Sequence, residues 1–117
     1  MKTLFVINDP PYGTERVYNA LRLAHALLKR REFMEVIIFL MADAVLVAKA
    51  GQKTPEGYYN LERMLRRVVS SKGAVLLCGT CMDARGMSET ELVDGARRST
   101  MDELASATAE ADRVLVF

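Results

Sequence analysis

The stretch Ala74-Val75-Leu76-Leu77-Cys78-Gly79-Thr80-Cys81 decides how this chain folds. Its first four residues are apolar without alternation, so the strand they form is buried on both faces. The segment Met82-Asp83-Ala84-Arg85-Gly86 follows and reads as a polar loop. Upstream, Val36-Ile37-Ile38-Phe39-Leu40 and Leu4-Phe5-Val6-Ile7 repeat the buried-strand pattern. Between these strands the apolar period changes to that of a helix. Val17, Leu21, Ala24 and Leu28 share one face of a helix that Thr14 can cap, and Lys29-Arg30-Arg31 suit its carboxyl end. Leu61, Met64, Leu65, Val68 and Val69 define a second amphipathic helix, with Arg63, Arg66 and Arg67 on its wet side. Asp43 can cap a short helix over 44–50 that Gly51 stops, and residues 52–60 read as an exposed loop. Beyond the cysteines the pattern is weaker. It gives a helical turn over 88–92, a short strand over 96–99, a capping box Thr100-x-x-Glu103 opening a helix, and a final strand Val114-Leu115-Val116-Phe117. Strands buried on both faces and separated by helices mean a parallel sheet covered on both sides.

Composition bounds the function. The chain has 117 residues, which suits a single domain over 1–117, and 50% hydrophobic with 26% charged residues suits a packed core. A net charge of +1 and few aromatics argue against a nucleic-acid partner. No apolar run reaches the roughly 20 residues that span a bilayer, and the first eight residues do not read as a signal peptide. No membrane association is expected, and the cytoplasm is the expected location. There thiols are mostly reduced, so the two cysteines read as reactive or structural thiols rather than a permanent disulfide.

In parallel α/β sheets ligands bind outside the carboxyl ends of the strands. The Asn8-Asp9-Pro10-Pro11-Tyr12-Gly13 loop, the turn at Met41 and the Cys78 to Gly86 segment all fall at that edge. Cys78 alone reads equally as a small core residue. A second thiol three residues on, with Arg85 nearby, favours a reactive pair, because a cation and loop N–H groups promote the thiolate. The expectation is a nucleophilic sulfur that protrudes into solvent at the rim. Thioredoxin-like chemistry fits poorly, because Pro10, Pro11 and Pro55 all precede the cysteines. A zinc centre fits poorly too: two cysteines and one histidine, His25, fall short of four ligands, and no metal or cofactor is expected. His25 reads as a packed or half-exposed helix residue. The first loop matches neither dinucleotide nor phosphate-loop patterns. Tyr58 and Tyr59, on a Gly/Pro loop, read as a lid, a subunit contact or plain surface.

Several segments together carry a family resemblance. Pro11-Tyr12-Gly13-Thr14-Glu15, Phe39-Leu40-Met41-Ala42-Asp43-Ala44-Val45, Gly51-Gln52-Lys53 and Cys78-Gly79-Thr80-Cys81-Met82-Asp83-Ala84-Arg85-Gly86-Met87 occur in order. In this the chain resembles the DsrE/DsrF-like family, and within it the YchN-like branch. The resemblance implies a flavodoxin-like three-layer α/β/α fold with a mostly parallel five-stranded sheet, assembled as trimers or hexamers. It also implies a sulfur relay, with Cys78 carrying sulfane sulfur as a persulfide and Arg85-Gly86 following it. Cys81 departs from the pattern of the sulfur-carrying subunits, and would resolve the persulfide or make the pair a redox switch.

The expected reading is thus a cytoplasmic, homo-oligomeric sulfur carrier with Cys78, Cys81 and Arg85 as its chemical residues. Tyr12, Gly13, Met41, Tyr58, Gly79, Thr80 and Gly86 would form the pocket, and donor and acceptor proteins would be its partners. The alternative is a redox-responsive regulatory or small-ligand-binding module without sulfur transfer.

Overall fold

The three most apolar strands take the three inner places of the sheet, because only there are both faces covered. The computed structural model describes residues 1–30 and 34–117. In chain order the elements are β1 (Lys2–Ile7), α1 (Arg16–Lys29), β2 (Glu35–Leu40), a 3-10 helix (Ala42–Ala48), α2 (Leu61–Ser70) and β3 (Ala74–Cys78). Then come α3 (Gly79–Ala84), a 3-10 turn (Glu89–Glu91), β4 (Ala96–Ser99), α4 (Met101–Glu110) and β5 (Arg113–Val116). The sheet order is β4-β3-β2-β1-β5, and every pairing is parallel. The edges go to the strands that tolerate water: β4 reads Ala-Arg-Arg-Ser, and its two arginines blunt an edge that would otherwise invite pairing.

Alternation along the inner strands sorts side chains into two cores. Phe5, Ile7, Ile38, Leu40, Val75 and Leu77 meet Val17 and Leu21 of α1, Leu65 and Val68 of α2, and the 3-10 helix. Leu4, Phe39, Leu76 and Cys78 face the other way and pack with Leu104 of α4. That makes three layers, α/β/α, the second core being the thinner. Val114 and Val116 pair in register with Leu4 and Val6, so they lie on the thin side, and α4 leaves them 41% and 68% exposed.

Local structure departs from the sequence expectation at several points. α1 starts at Arg16, not at Thr14; the Thr14 hydroxyl accepts from the Arg16 N–H at 3.3 Å and donates to Asp9 at 2.8 Å. Arg31 of the expected cationic helix end lies outside the described residues. Asp43 does not cap a helix over 44–50. A tighter 3-10 helix runs from Ala42 to Ala48, and the Asp43 carboxylate is taken by Arg85 instead. The stretch expected to be a loop after Cys81 is largely helical, since α3 opens at Gly79 directly after the strand. Gly86, at a φ of +64°, supplies the left-handed residue that ends it. Thr100 caps α4 by accepting from the Glu103 N–H at 3.1 Å, but the Glu103 carboxylate does not close the box. It is drawn to the Arg97 guanidinium and the Ser99 hydroxyl. A complete capping box forms at Ser88 and Glu91, where a bare helical turn is expected.

Candidate active site

Cys78 is the last residue of β3 and the residue that caps α3, so its backbone is fixed by a strand on one side and a helix on the other. Its sulfur points into the thin core beside Phe39 and Leu76, and the residue is only 6% exposed. The expectation of a sulfur projecting into solvent is therefore corrected: the even side chains of β3 turn under α4, and Cys78 turns with them. Cys81, one helical turn on, is half-buried. Both thiols are free.

The two sulfurs have different surroundings. Burial opposes the Cys78 thiolate. Against it stand the Cys81 thiol, the Thr80 hydroxyl 3.3 Å away, and the backbone N–H groups of Cys81 and Thr80, and together they lower the Cys78 pKa. For Cys81, burial and the hydrogen bond it gives to Cys78 raise the pKa, outweighing the Ala42 N–H and the Arg85 charge. Of the two thiols, Cys78 is thus the one whose anion the surroundings favour. The Ala42 N–H reaches the Cys81 sulfur at 3.2 Å because Ala42 takes a left-handed φ of +52°, a costly conformation for a residue with a Cβ. The turn after β2 and the helix after β3 are joined at this sulfur.

Arg85 lies toward Cys81 rather than Cys78. Its Nε donates to Asp43 at 2.8 Å and its Nη1 to the Cys81 carbonyl at 3.0 Å, so its charge acts on Cys81. Arg98 of β4 also comes within electrostatic reach of Cys78, though Asp83 dominates its surroundings. Both Nη atoms of Arg98 donate to Asp83, at 2.8 and 2.9 Å. Arg98 is not marked by the sequence, and Asp83 stands out there only as part of the longer stretch from Cys78 to Met87. A register pairing Leu77 with Arg98 would have pointed to the first, had β4 been legible as a neighbour of β3.

Of the expected pocket residues, Gly79 and Thr80 are contiguous with Cys78, and Met41 packs against the same small core. Gly86 closes α3 through its N–H to the Asp83 carbonyl at 3.1 Å. The contacts of Tyr12 and Tyr58 lie elsewhere. Tyr12, at a φ of +65°, donates to Gln52 and accepts from the Leu61 N–H at 3.0 Å, pinning the 52–60 loop to the start of α2. Tyr59 stacks between Tyr12, Tyr18 and Tyr58, at centroid distances of 5.8, 4.3 and 4.8 Å. Gly13 sits against Pro10. Within the described residues, no hydrogen bond or ring contact of these three reaches the cysteines. His25 donates from Nε2 to the Met64 carbonyl at 2.8 Å and ties α1 to α2. The sheet order reverses between β1 and β5, where Asn8, Asp9, Arg16, Val116 and Phe117 line a crevice of about 420 Å³. The thiols stand two strands away from it. Among the described residues no three His, Cys, Asp or Glu side chains are grouped to hold a metal ion, and no helix is long and apolar enough to cross a membrane.

Fold and thiol pair together define a small parallel α/β protein with a two-cysteine centre at the carboxyl edge of its sheet. The chain belongs to the DsrE/DsrF-like family, whose sequence profile matches residues 1–117. It is 44% identical over 116 residues to protein YchN of Escherichia coli K12, covering 99% of this chain and 98% of that one. The crystal structure of the E. coli ychN protein superposes with a TM-score of 0.94 over 100% of this chain and 99% of that one. At 28% identity over 129 residues, covering 100% of both chains, it is also similar to the sulfurtransferase TusD of Salmonella typhi.

Proposed function

We propose that this protein is a sulfur carrier, with Cys78 as the residue that holds the travelling sulfur. What carries the reading is the asymmetric thiol pair at the end of β3, in which hydrogen bonds overcome burial to favour the thiolate at Cys78. The similarity to a sulfurtransferase supports it. In the forward step the Cys78 thiolate attacks the outer sulfur of a donor persulfide, R–S–SH. The donor S–S bond breaks, R–S⁻ leaves with the electron pair, and Cys78 becomes a persulfide. An acceptor thiolate repeats the exchange and returns Cys78 to its anion. Cys81 resolves a stranded persulfide: its thiolate attacks the Cys78 sulfur, HS⁻ leaves, and a disulfide remains. Arg85 favours the ionised form of Cys81 for that step.

In this reading Met41, Gly79, Thr80 and Gly86 border the reacting thiols, while Tyr12, Gly13 and Tyr58, whose contacts lie at the 52–60 loop and Pro10, take no part in the exchange. The working unit is a homo-oligomer, trimer or hexamer, acting in the cytoplasm on donor and acceptor proteins. Self-association has physical support in Val114 and Val116, apolar side chains exposed on the thin side of the sheet. The test is to load the protein with a persulfide donor and weigh it intact. Wild type gains one sulfur atom and Cys78→Ser gains none. A wild type that gains nothing, or a Cys78→Ser variant that loads equally, contradicts the reading.

The redox alternative draws on the same pair, since a Cys-x-x-Cys at the start of a helix can close reversibly. It expects a disulfide that alters assembly or partner binding, without added sulfur.

A further inference from the structure

Arg98 approaches the thiol centre from an edge strand, and three observations fix where its charge sits. The register of β4 on β3 sets Arg98 beside Leu77, on the face opposite the one that takes the Cys78 side chain, so its guanidinium approaches the thiol centre at Gly79, past the end of β3. Its guanidinium lies flat over Gly79: a Cβ built at residue 79 would be 2.7 Å from both Cζ and Nε and 2.9 Å from Nη2. Its two Nη atoms are held by the two oxygens of Asp83, a bidentate geometry that fixes both position and plane. Gly79 does not have a left-handed φ, so its missing side chain serves this close approach rather than a turn.

We propose that Arg98 is the positioning residue of the Cys78 centre: clamped across Gly79 by Asp83, it sets a cation at the residue next to Cys78, where it favours the thiol's anion and draws anionic reagents to it. The proposal rests on the reading that Cys78 is the reacting thiol. The attraction between the Cys78 thiolate and the guanidinium is consistent with it, although at the sulfur itself the Cys81, Thr80 and backbone hydrogen bonds are the larger influences. The charged and titratable groups at this corner are Cys81 and Asp83 on α3, Arg85 just after it, Glu89 beyond Arg98, and Glu103 on α4. Arg85 is engaged by Asp43, Glu103 by Arg97 and Arg98 by Asp83, and of the three pairs only the last spans Gly79.

The ion pair also ties α3 to β4, so the test must separate charge from scaffolding. Arg98→Met and Asp83→Asn break the same pair, but only the first removes the cation. The reaction rate of Cys78 with iodoacetate, an anion, and with iodoacetamide, which is neutral, is followed against pH, with the modified sulfur located by peptide fragmentation. In Arg98→Met the iodoacetate-to-iodoacetamide rate ratio falls about fivefold and the pH midpoint rises, as expected for losing a unit charge at close range. Asp83→Asn moves both readouts the opposite way, and Arg98→Lys keeps most of the wild-type ratio. A ratio and midpoint unchanged in Arg98→Met would overturn the proposal, as would Arg98→Met and Asp83→Asn shifting in the same direction. If Arg98→Met does not fold, Arg98→Lys and Asp83→Asn carry the test, and an Asp83→Asn variant that leaves both readouts unchanged overturns it. Alkylation reads the sulfur-free thiol whether or not the protein relays sulfur. Failure of sulfur loading would therefore remove the relay and leave this result standing.

Discussion

A thiol withdrawn from water normally stays protonated, because nothing is left to solvate the anion. At Cys78 the surroundings replace the solvent: one thiol, one hydroxyl and two backbone N–H groups converge on the sulfur. Cys81→Ala removes the first of these while the burial stays. The pH midpoint for Cys78 alkylation should then rise, and the rate at neutral pH should fall several-fold. An unchanged midpoint in a pH–rate profile would show that Cys81 does not support the anion. Part of this site is legible in the residues themselves. Two cysteines three apart at the end of an apolar run mark the place, and loop N–H groups near a thiol are foreseeable. Burial is not, because which face of β3 takes Cys78 depends on where the helices settle. Nor is the partner of each arginine. Arg85 looks like the cation of the site, yet Asp43 claims it, and Arg98 arrives from twenty residues downstream through a strand pairing that one alanine and three polar residues do not announce.

Helix ends and edge strands show how local signals are redirected by their neighbours. Thr100-x-x-Glu103 has the form of a capping box, but Arg97 on β4 competes for the carboxylate. Two hydrogen bonds from Arg97 and one from Ser99 lower the Glu103 pKa from the ordinary 4.5 to about 2. A carboxylate whose folded pKa is depressed stabilises the fold above its unfolded value, and loses that contribution as pH falls from about 4.5 toward 2. Glu103→Gln should lower the thermal midpoint at neutral pH by about 1 to 4 °C, the effect of one exposed ion pair. The difference from wild type should shrink across that acid window. A difference that stays constant with pH would mean that the ion pair adds nothing. α3 illustrates the limit of local reading. Six residues with a glycine and a threonine at the start carry little helical signal, and the helix exists because β3 delivers the chain at that angle and Gly86 stops it.

For the molecule as a whole, the architecture was the most legible feature, since three unbroken apolar runs can only be inner strands of a covered sheet. What the runs do not reveal is how unequal the two covers are. α1, α2 and the 3-10 helix bury one face, while α4 alone serves the other and leaves Val114 and Val116 in water. Placing glutamate at both positions should move a self-associated protein to the mass of a single chain in sedimentation. A wild type that already sediments as one chain would contradict the proposed assembly. Such an assembly would bury part of the thin side of the sheet, the side toward which Cys78 points. The account turns on which sulfur takes the load. After treatment with a persulfide donor, blocking of free thiols and fragmentation of the peptide containing both cysteines, the added sulfur should be found on Cys78. Sulfur found on Cys81 instead, or on neither, would contradict the account.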